Sequence, residues 1–173
     1  MLISLVGLPG VGKSTIGRRL AARLDLAFAD SDALIEARIH EPIRNFFERE
    51  GEARFRDLEE SVIAELCAGS DAVIATGGGA VVRPANRAVL RERTVAVYLH
   101  APPDPLFERL RRDTKRPLLQ VADPLGRLRE LSRTRDPLYR EVAELTLDVA
   151  QRPVRTAVDA IIAHLGPRPP RAS

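Results

Sequence analysis

Hydrophobic positions along this chain follow two rhythms. Residues 2–6, 26–29, 72–75, 95–99 and 145–149 are runs of four or five mostly apolar side chains, with the length and two-faced apolarity of strands buried on both sides. Residues 13–24, 32–39, 52–67, 84–91, 103–112, 125–135 and 153–165 place apolar side chains at helical spacing, which marks a helix with one buried stripe. The last of these opens on Pro153 and stops before Gly166-Pro167, a helix start and a helix stop. Strands alternating with helices predict an α/β fold of three layers, a five-stranded parallel sheet flanked by helices. Residues 113–124 interrupt the alternation with Thr114-Lys115-Arg116-Pro117-Leu118-Leu119-Gln120. So long a stretch without periodicity in a compact domain is expected to serve a site, and its charge and position make it a candidate lid.

Composition bounds the class. The 173 residues suit one domain, expected over residues 1–166, with a disordered Pro/Arg tail at 167–173. Hydrophobic residues at 45% and charged residues at 29% exclude a disordered chain, a collagen-like repeat and a disulfide scaffold. Tryptophan is absent and aromatic residues make up 4%, so the core is aliphatic. The single cysteine, Cys67, shares an apolar stripe with Val62, Ile63 and Leu66 and reads as a small buried hydrophobe. No apolar run is long enough to span a membrane or to serve as a signal sequence, so a cytoplasmic protein without a membrane partner is expected.

Charge narrows the partners. The net charge is +3, and all but two of the 27 cationic residues are arginine, the exceptions being Lys13 and Lys115. With a pI near 9.6, this balance points to nucleic acid, membrane headgroups or an anionic small molecule. Acids are interspersed with the bases, as in Arg111-Arg112-Asp113 and across 129–136. A nucleic-acid face would instead gather bases with aromatics on one side, so no nucleic-acid partner is expected.

Candidate chemistry begins at Gly7-Leu8-Pro9-Gly10-Val11-Gly12-Lys13-Ser14-Thr15, directly after the first strand run. This satisfies G-x-x-x-x-G-K-[ST] between a strand and a helix, the P-loop context. Backbone amides of Gly10, Val11 and Gly12, with Thr15, would cradle phosphate oxygens at a helix N-terminus. Lys13 would reach the β- and γ-phosphates, and Ser14 would hold Mg²⁺. The alternative, a glycine-rich turn with a chance lysine, does not explain the full pattern. The fold is therefore a three-layer P-loop fold that binds a nucleoside triphosphate.

Three further motifs carry weaker signals. Asp30-Ser31-Asp32 ends the second strand, where strand C-termini face the ligand crevice. One acid would serve a metal-bound water and the other an acceptor hydroxyl, although Asp-Ser-Asp is also a good helix cap. Arg56 and Glu59 lie three apart in a charged helix opening, as a site pair or as a solvated ion pair. The Gly77-Gly78-Gly79 triplet closes the third strand, where a simple turn needs fewer glycines than close backbone approach to a ligand does.

Taken in order, the P-loop, Phe28-Ala-Asp30-Ser-Asp32, Gly51-Glu52-Ala-Arg-Phe55-Arg56-Asp-Leu-Glu59, Thr76-Gly77-Gly78-Gly79, Arg116-Pro117-Leu118-Leu119 and Arg135-Asp-Pro137-Leu138-Tyr139 resemble the shikimate kinase family from residue 2 to about 165. The resemblance implies transfer of the γ-phosphoryl group of ATP to the 3-hydroxyl of shikimate, on the route to aromatic amino acids. By motif, Asp32 is implied as the acid on the acceptor hydroxyl and Asp30 as a second-sphere Mg²⁺ acid beside Ser14. Arg56 and Arg135 are implied to hold the shikimate carboxylate, with Glu59 steadying Arg56. Gly77, Gly78 and Gly79 are implied near the substrate hydroxyls, and Phe47 and Phe55 as the apolar wall. Arg116 is implied as the lid arginine that acts with Lys13 and Asp32 in catalysis, Arg109 as the group packing on adenine, and Arg152-Pro153 as the adenine loop. That loop usually reads Asn-Pro, and Asn45 replaces an acid in the run before Phe47. The expected cofactors are ATP and Mg²⁺, and the expected state is a monomer. A gluconate kinase of the same fold would share the P-loop and the acid pair but lack the triple glycine, the Gly-Glu-…-Phe-Arg run and Arg-Pro-Leu-Leu. A nucleotide-dependent RNA-binding protein would need a clustered basic face. A binder without activity would not need Lys13, Ser14, Asp30 and Asp32 together.

Overall fold

The computed structural model describes residues 1–112 and 121–167. Five strands, β1 (Leu2–Val6), β2 (Ala27–Asp30), β3 (Ala72–Ala75), β4 (Val95–His100) and β5 (Leu145–Asp148), alternate with helices α1 (Lys13–Leu24), α2 (Ser31–Ile39), α3 (Ile43–Glu50), α4 (Glu52–Ala68), α5 (Pro84–Arg93), α6 (Pro103–Leu110), α7 (Pro124–Val142) and α8 (Val154–Leu165). The sheet order is β2-β3-β1-β4-β5, and every neighbouring pair runs parallel. The chain leaves β1 for one side of the sheet and later crosses to the other, so the topological switch lies at the C-terminal end of β1. In open parallel sheets that crevice is where ligands bind.

Packing explains the layers. Ile3, Leu5, Val6, Val73, Ile74, Val97 and Leu99 are buried in the three central strands, against Leu20 of α1, Leu90 of α5, Leu128 of α7 and Ile161 of α8. A second, smaller core forms where Ile35 of α2 meets Phe55 and Val62 of α4, with Phe46 of α3 packed on its edge. Cys67 is buried, as its stripe predicts, and burial pushes its thiol up to about 11.

Three expectations need correction. First, β2 and β5 are not buried on both faces: Ala27, Thr146 and Asp148 are exposed, because these strands form the two edges of the sheet. Second, α3 is missing from the predicted helices: Ile43, Phe46 and Phe47 stand at helical spacing, but eight residues are too few for a sustained period, and none of them is buried. Third, α7 does not stop before Pro137 but carries it in its interior. Proline removes one donor there, yet Tyr139 and Val142 beyond it are buried and hold the last turns in place. Of the expected lid, only residues 121–124 are described, a bend leading to α7, which Pro124 opens. Residues 113–120, and the tail apart from Pro167, lie outside the described residues.

One backbone contact fixes the mouth of the crevice. Gly7, immediately after β1, has φ +150°, and a Cβ there would lie 2.5 Å from the Leu99 carbonyl oxygen of β4. The conformation is strained for an L side chain, and the opposing atom is strand backbone. Gly7→Ala is expected to destabilise the fold by about 2–4 kcal/mol, measured as a lowered urea midpoint at unchanged slope.

Candidate active site

The P-loop wraps the C-terminal end of β1 and leads into α1, whose cap residue Gly12 has φ 106° and offers no side-chain acceptor to the first amides. Those amides and the helix dipole therefore offer a positive end to an anion. Lys13 is nearly buried, and its Nζ donates to the carbonyl oxygens of Gly7 (2.7 Å) and Leu8 (2.8 Å). A cavity of about 290 Å³ opens over this turn, lined by Gly10, Lys13, Ser14, Asp30, Asp32 and Gly78 among others. A second cavity of about 260 Å³ adjoins it, sharing Gly10, Gly12 and Thr15 and bounded by Val11, Arg109, Val149 and Arg152. Arg109 Nη2 donates to the Gly10 carbonyl at 2.7 Å, and Arg152 Nε donates to the Asp148 carbonyl at 3.0 Å. Of the expected phosphate residues, Gly10, Gly12, Lys13, Ser14 and Thr15 line the first cavity and Val11 the second, where the expected adenine residues Arg109 and Arg152 also stand.

Asp30 and Asp32 divide the two roles that Asp-Ser-Asp left open. Asp30 caps α2: its Oδ1 accepts from the amides of Asp32 (3.0 Å) and Ala33 (3.1 Å). Its other oxygen, Oδ2, accepts from the Ser14 hydroxyl at 2.6 Å. Capping and site chemistry are thus served by two oxygens of one carboxylate. Asp32 lines the cavity, and its Oδ1 is buried without a hydrogen-bond partner. Burial, together with the Glu59 and Asp30 carboxylates, pushes Asp32 up to about 6, against the opposing pull of Lys13. A carboxyl raised this far sits near neutrality, the range suited to accepting a proton from a hydroxyl.

The triple glycine is a point of convergence. A Cβ on Gly77 would lie 2.5 Å from Asp32 Oδ1, and one on Gly78 would lie 2.8 Å from Cδ and Cγ of Pro9 in the P-loop. On Gly79 it would overlap the Arg56 guanidinium. The Gly77 amide donates to Ser31 Oγ at 2.9 Å, so that amide is already engaged within the protein. Beyond the turn, Arg56 is nearly buried beside Glu59. Arg56 Nη1 donates to Glu59 Oε1 at 2.7 Å, and its Nε is buried without a partner. Burial raises the Glu59 carboxyl, and the Arg56 guanidinium opposes that rise. Arg56 lies 5.2 Å from the Phe55 ring centre, and Phe55 and Phe47 meet with ring centres 5.6 Å apart. Arg135 of α7 joins this group through the field of its charge on Glu59 and on the Tyr139 hydroxyl.

Every predicted site residue that is described thus falls along one edge of the sheet; Arg116 lies outside the described residues. Sequence reasoning assigned no role to Pro9, Ser31, Thr76 or Tyr139. Thr76 donates to the Leu5 carbonyl at 2.9 Å, and Tyr139 donates to the Gly78 carbonyl at 2.6 Å. Both stand inside motifs read for neighbouring residues, which was the available signal.

The acid at the centre of the site costs stability. The folded-state value of Asp32, about 6, exceeds the ordinary 3.8, so the folded chain holds this proton more tightly than the unfolded one. Stability is therefore lost as pH rises through that window. Asp32→Asn is expected to be more stable than the parent at about pH 8, by on the order of 1–3 kcal/mol, and to lose that advantage near pH 4 in paired urea titrations.

Comparison with known proteins gives this edge a family. The family model described as shikimate kinase matches residues 9–166. A shikimate kinase of Paracidovorax citrulli is 60% identical over 147 residues, covering 84% of this chain and 80% of that protein. The shikimate kinase of Acinetobacter baumannii, solved in complex with shikimate, superposes with a TM-score of 0.89 at 44% identity, covering 95% of this chain and 92% of that one. A gluconokinase from Sinorhizobium meliloti is more distant, with a TM-score of 0.66 at 26% identity over 94% of this chain and 90% of that one. The chain belongs to the shikimate kinase family, phosphotransferases that act on an alcohol acceptor.

Proposed function

We propose that the protein transfers the γ-phosphoryl group of ATP to the 3-hydroxyl of shikimate, releasing ADP and shikimate 3-phosphate. The observation that carries this reading is the placement of Asp32, a raised carboxylate with one unpartnered oxygen. It lies between the P-loop cavity on one side and Arg56, Glu59 and Gly79 on the other. Asp32 orients the acceptor hydroxyl and takes its proton as the oxygen attacks phosphorus. Arg56 and Arg135 grip the acceptor's carboxylate, for which a planar guanidinium fork is well matched. Glu59 fixes the Arg56 fork, since a buried guanidinium without a partner is strongly disfavoured. Phe47 and Phe55 wall the pocket, and the backbone at Gly78 and Gly79 lies close to the acceptor. Lys13 leaves its carbonyl partners for the β- and γ-phosphates, while Arg109 and Arg152 bound the adenine cavity. Arg116, outside the described residues, supplies further positive charge to the phosphates.

The oxygen donors fit Mg²⁺. Ser14 Oγ and Asp30 Oδ2 lie 2.6 Å apart beside the phosphate cavity, a hard-oxygen pair of the kind that binds Mg²⁺ together with substrate phosphates and waters. Ser14 would hold the ion directly and Asp30 through water. Bound there, it would neutralise charge on the triphosphate. No helix among the described residues is long and apolar enough to cross a membrane.

The test is ADP release with shikimate, with gluconate and without acceptor. Turnover is expected with shikimate alone; preference for gluconate, or equal turnover without acceptor, overturns the reading. Asp32→Asn is expected to lower kcat by at least about 100-fold, the scale of a lost general base. ATP affinity, measured by calorimetry, is expected to stay within about threefold, a shift of under 1 kcal/mol. Loss of ATP binding in that variant would show that Asp30 and Asp32 have been exchanged. Chelation with EDTA is expected to stop turnover, and added Mg²⁺ to restore it.

A further inference from the structure

We infer that Tyr139 is a positioning residue that sets the width of the acceptor pocket by clamping Gly78 between α7 and the P-loop. The carbonyls of the turn after β3 are held almost entirely from within or from its own neighbour α5. Gly77 and Gly79 carbonyls accept from the amides of Ala80 and Val82. Ala80 accepts from Asn86 Nδ2, and Val81 and Val82 accept from Arg87 Nη1. Gly78 differs: its carbonyl accepts from the Tyr139 hydroxyl at 2.6 Å, across 61 residues of chain. On its other side, the site of a Cβ on Gly78 lies 2.8 Å from Pro9. The glycine at the centre of the triplet is thus pinned from α7 and buttressed by the P-loop.

Tyr139 is built to hold that position. It is 1% exposed, and its ring packs on Tyr98 of β4 with centres 4.9 Å apart. Tyr98 is itself fixed by its hydroxyl, which donates to Asp136 Oδ1 at 2.7 Å. Burial pushes the Tyr139 hydroxyl up to about 12, so it remains a donor at neutral pH. Arg135 stands one helical turn before Tyr139 on the same face, and its charge acts on the Tyr139 hydroxyl. Arg56 reaches the same group from the side of Gly79. One phenol therefore joins α7, which carries Arg135, to the turn that abuts Arg56. The separation of the two guanidinium groups depends on that link, and two forks grip one carboxylate only at the right separation.

This inference rests on the proposed acceptor site, and the test separates the two. Tyr139→Phe keeps the ring and its stack on Tyr98 and removes only the hydroxyl. KM for shikimate is expected to rise about tenfold, the scale of one buried hydrogen bond, with KM for ATP and the thermal midpoint nearly unchanged. Tyr98→Phe, which removes the neighbouring hydroxyl from the same stack, is expected to leave KM for shikimate within about threefold, less than one such bond. An unchanged KM for shikimate in Tyr139→Phe overturns the positioning role, and so does an equal rise in both KM values with a fallen midpoint. A parent enzyme that does not turn over shikimate overturns the acceptor site itself and the inference with it. A second measurement uses the folded parent. The chain has two tyrosines, so 3-fluorotyrosine labelling yields two ¹⁹F resonances, assigned with Tyr98→Phe. Shikimate alone is expected to shift the Tyr139 resonance, and a stationary signal at saturating shikimate overturns the role even if Tyr139→Phe fails to fold.

Discussion

Close approach at the turn after β3 is the constraint on which the site depends. Asp32 from the start of α2, Pro9 from the P-loop and Arg56 from α4 each occupy the space that a Cβ would need on one of three consecutive glycines. None of these glycines is among those with positive φ, so conformational freedom is not the reason for the triplet. The reason is thickness: only bare backbone lets groups from three elements approach one turn. Sheet topology makes this possible, because β3 and β1 pair in register, with Leu5 opposite Ala75, and their C-terminal ends deliver the turn and the P-loop side by side. The Thr76 hydroxyl and amide both reach back to the Leu5 carbonyl, which locks that alignment at the last residue before the glycines.

Electrostatics then divides this narrow space. Asp30, Asp32 and Glu59 crowd one edge, and each would repel the others if left unanswered. Two of the three are answered by geometry. Asp30 spends both oxygens on the α2 amides and Ser14, and Glu59 is paired with Arg56. Asp32 alone keeps a buried oxygen without a partner. Its raised carboxyl follows from burial first and from its acidic neighbours second. A fold selected for stability alone would place a donor there. An enzyme that must seat a hydroxyl beside a carboxylate leaves the position open and accepts the cost.

Much of this architecture was legible in the sequence, and the gaps have physical causes. The core strands and α1 are strongly periodic, and residues 2–6, 13–24 and 72–75 match the observed elements end to end. The pattern fell short where burial is one-sided or brief: it placed the edge strands β2 and β5 to within one residue but overstated their burial, and it missed the small helix α3, because periodicity reports burial rather than backbone conformation. It failed again at Pro137, a local stop signal that tertiary packing of Tyr139 and Val142 overrides. The candidate site was legible where chemistry demands a residue type, as with Lys13, Ser14 and Asp32, which the fold gathers at one cavity. It was not legible where a residue acts through another. Nothing local marks Tyr139 as the partner of Gly78, because the contact spans 61 positions and any buried tyrosine would satisfy the apolar pattern equally well.

The basic composition shows why residue type alone is a poor guide to partners. Arg129 pairs with Asp104 at 2.6 Å, Arg44 with Glu48 at 3.0 Å and Arg23 with Asp159 at 3.1 Å, all with exposed side chains. Pairs of this kind contribute about 0–1 kcal/mol and set no specificity. Arg56 differs in environment rather than in chemistry: its side chain is 9% exposed and its partner Glu59 1%, so neither charge is screened by water. A guanidinium held there, with its Nε left without a partner, retains binding capacity that surface arginines have already exchanged with solvent and neighbouring acids. Discrimination for a small carboxylate over a polyanion therefore comes from desolvation at a few positions. The net charge of +3 sets only the long-range sign of the field that an anion meets on approach.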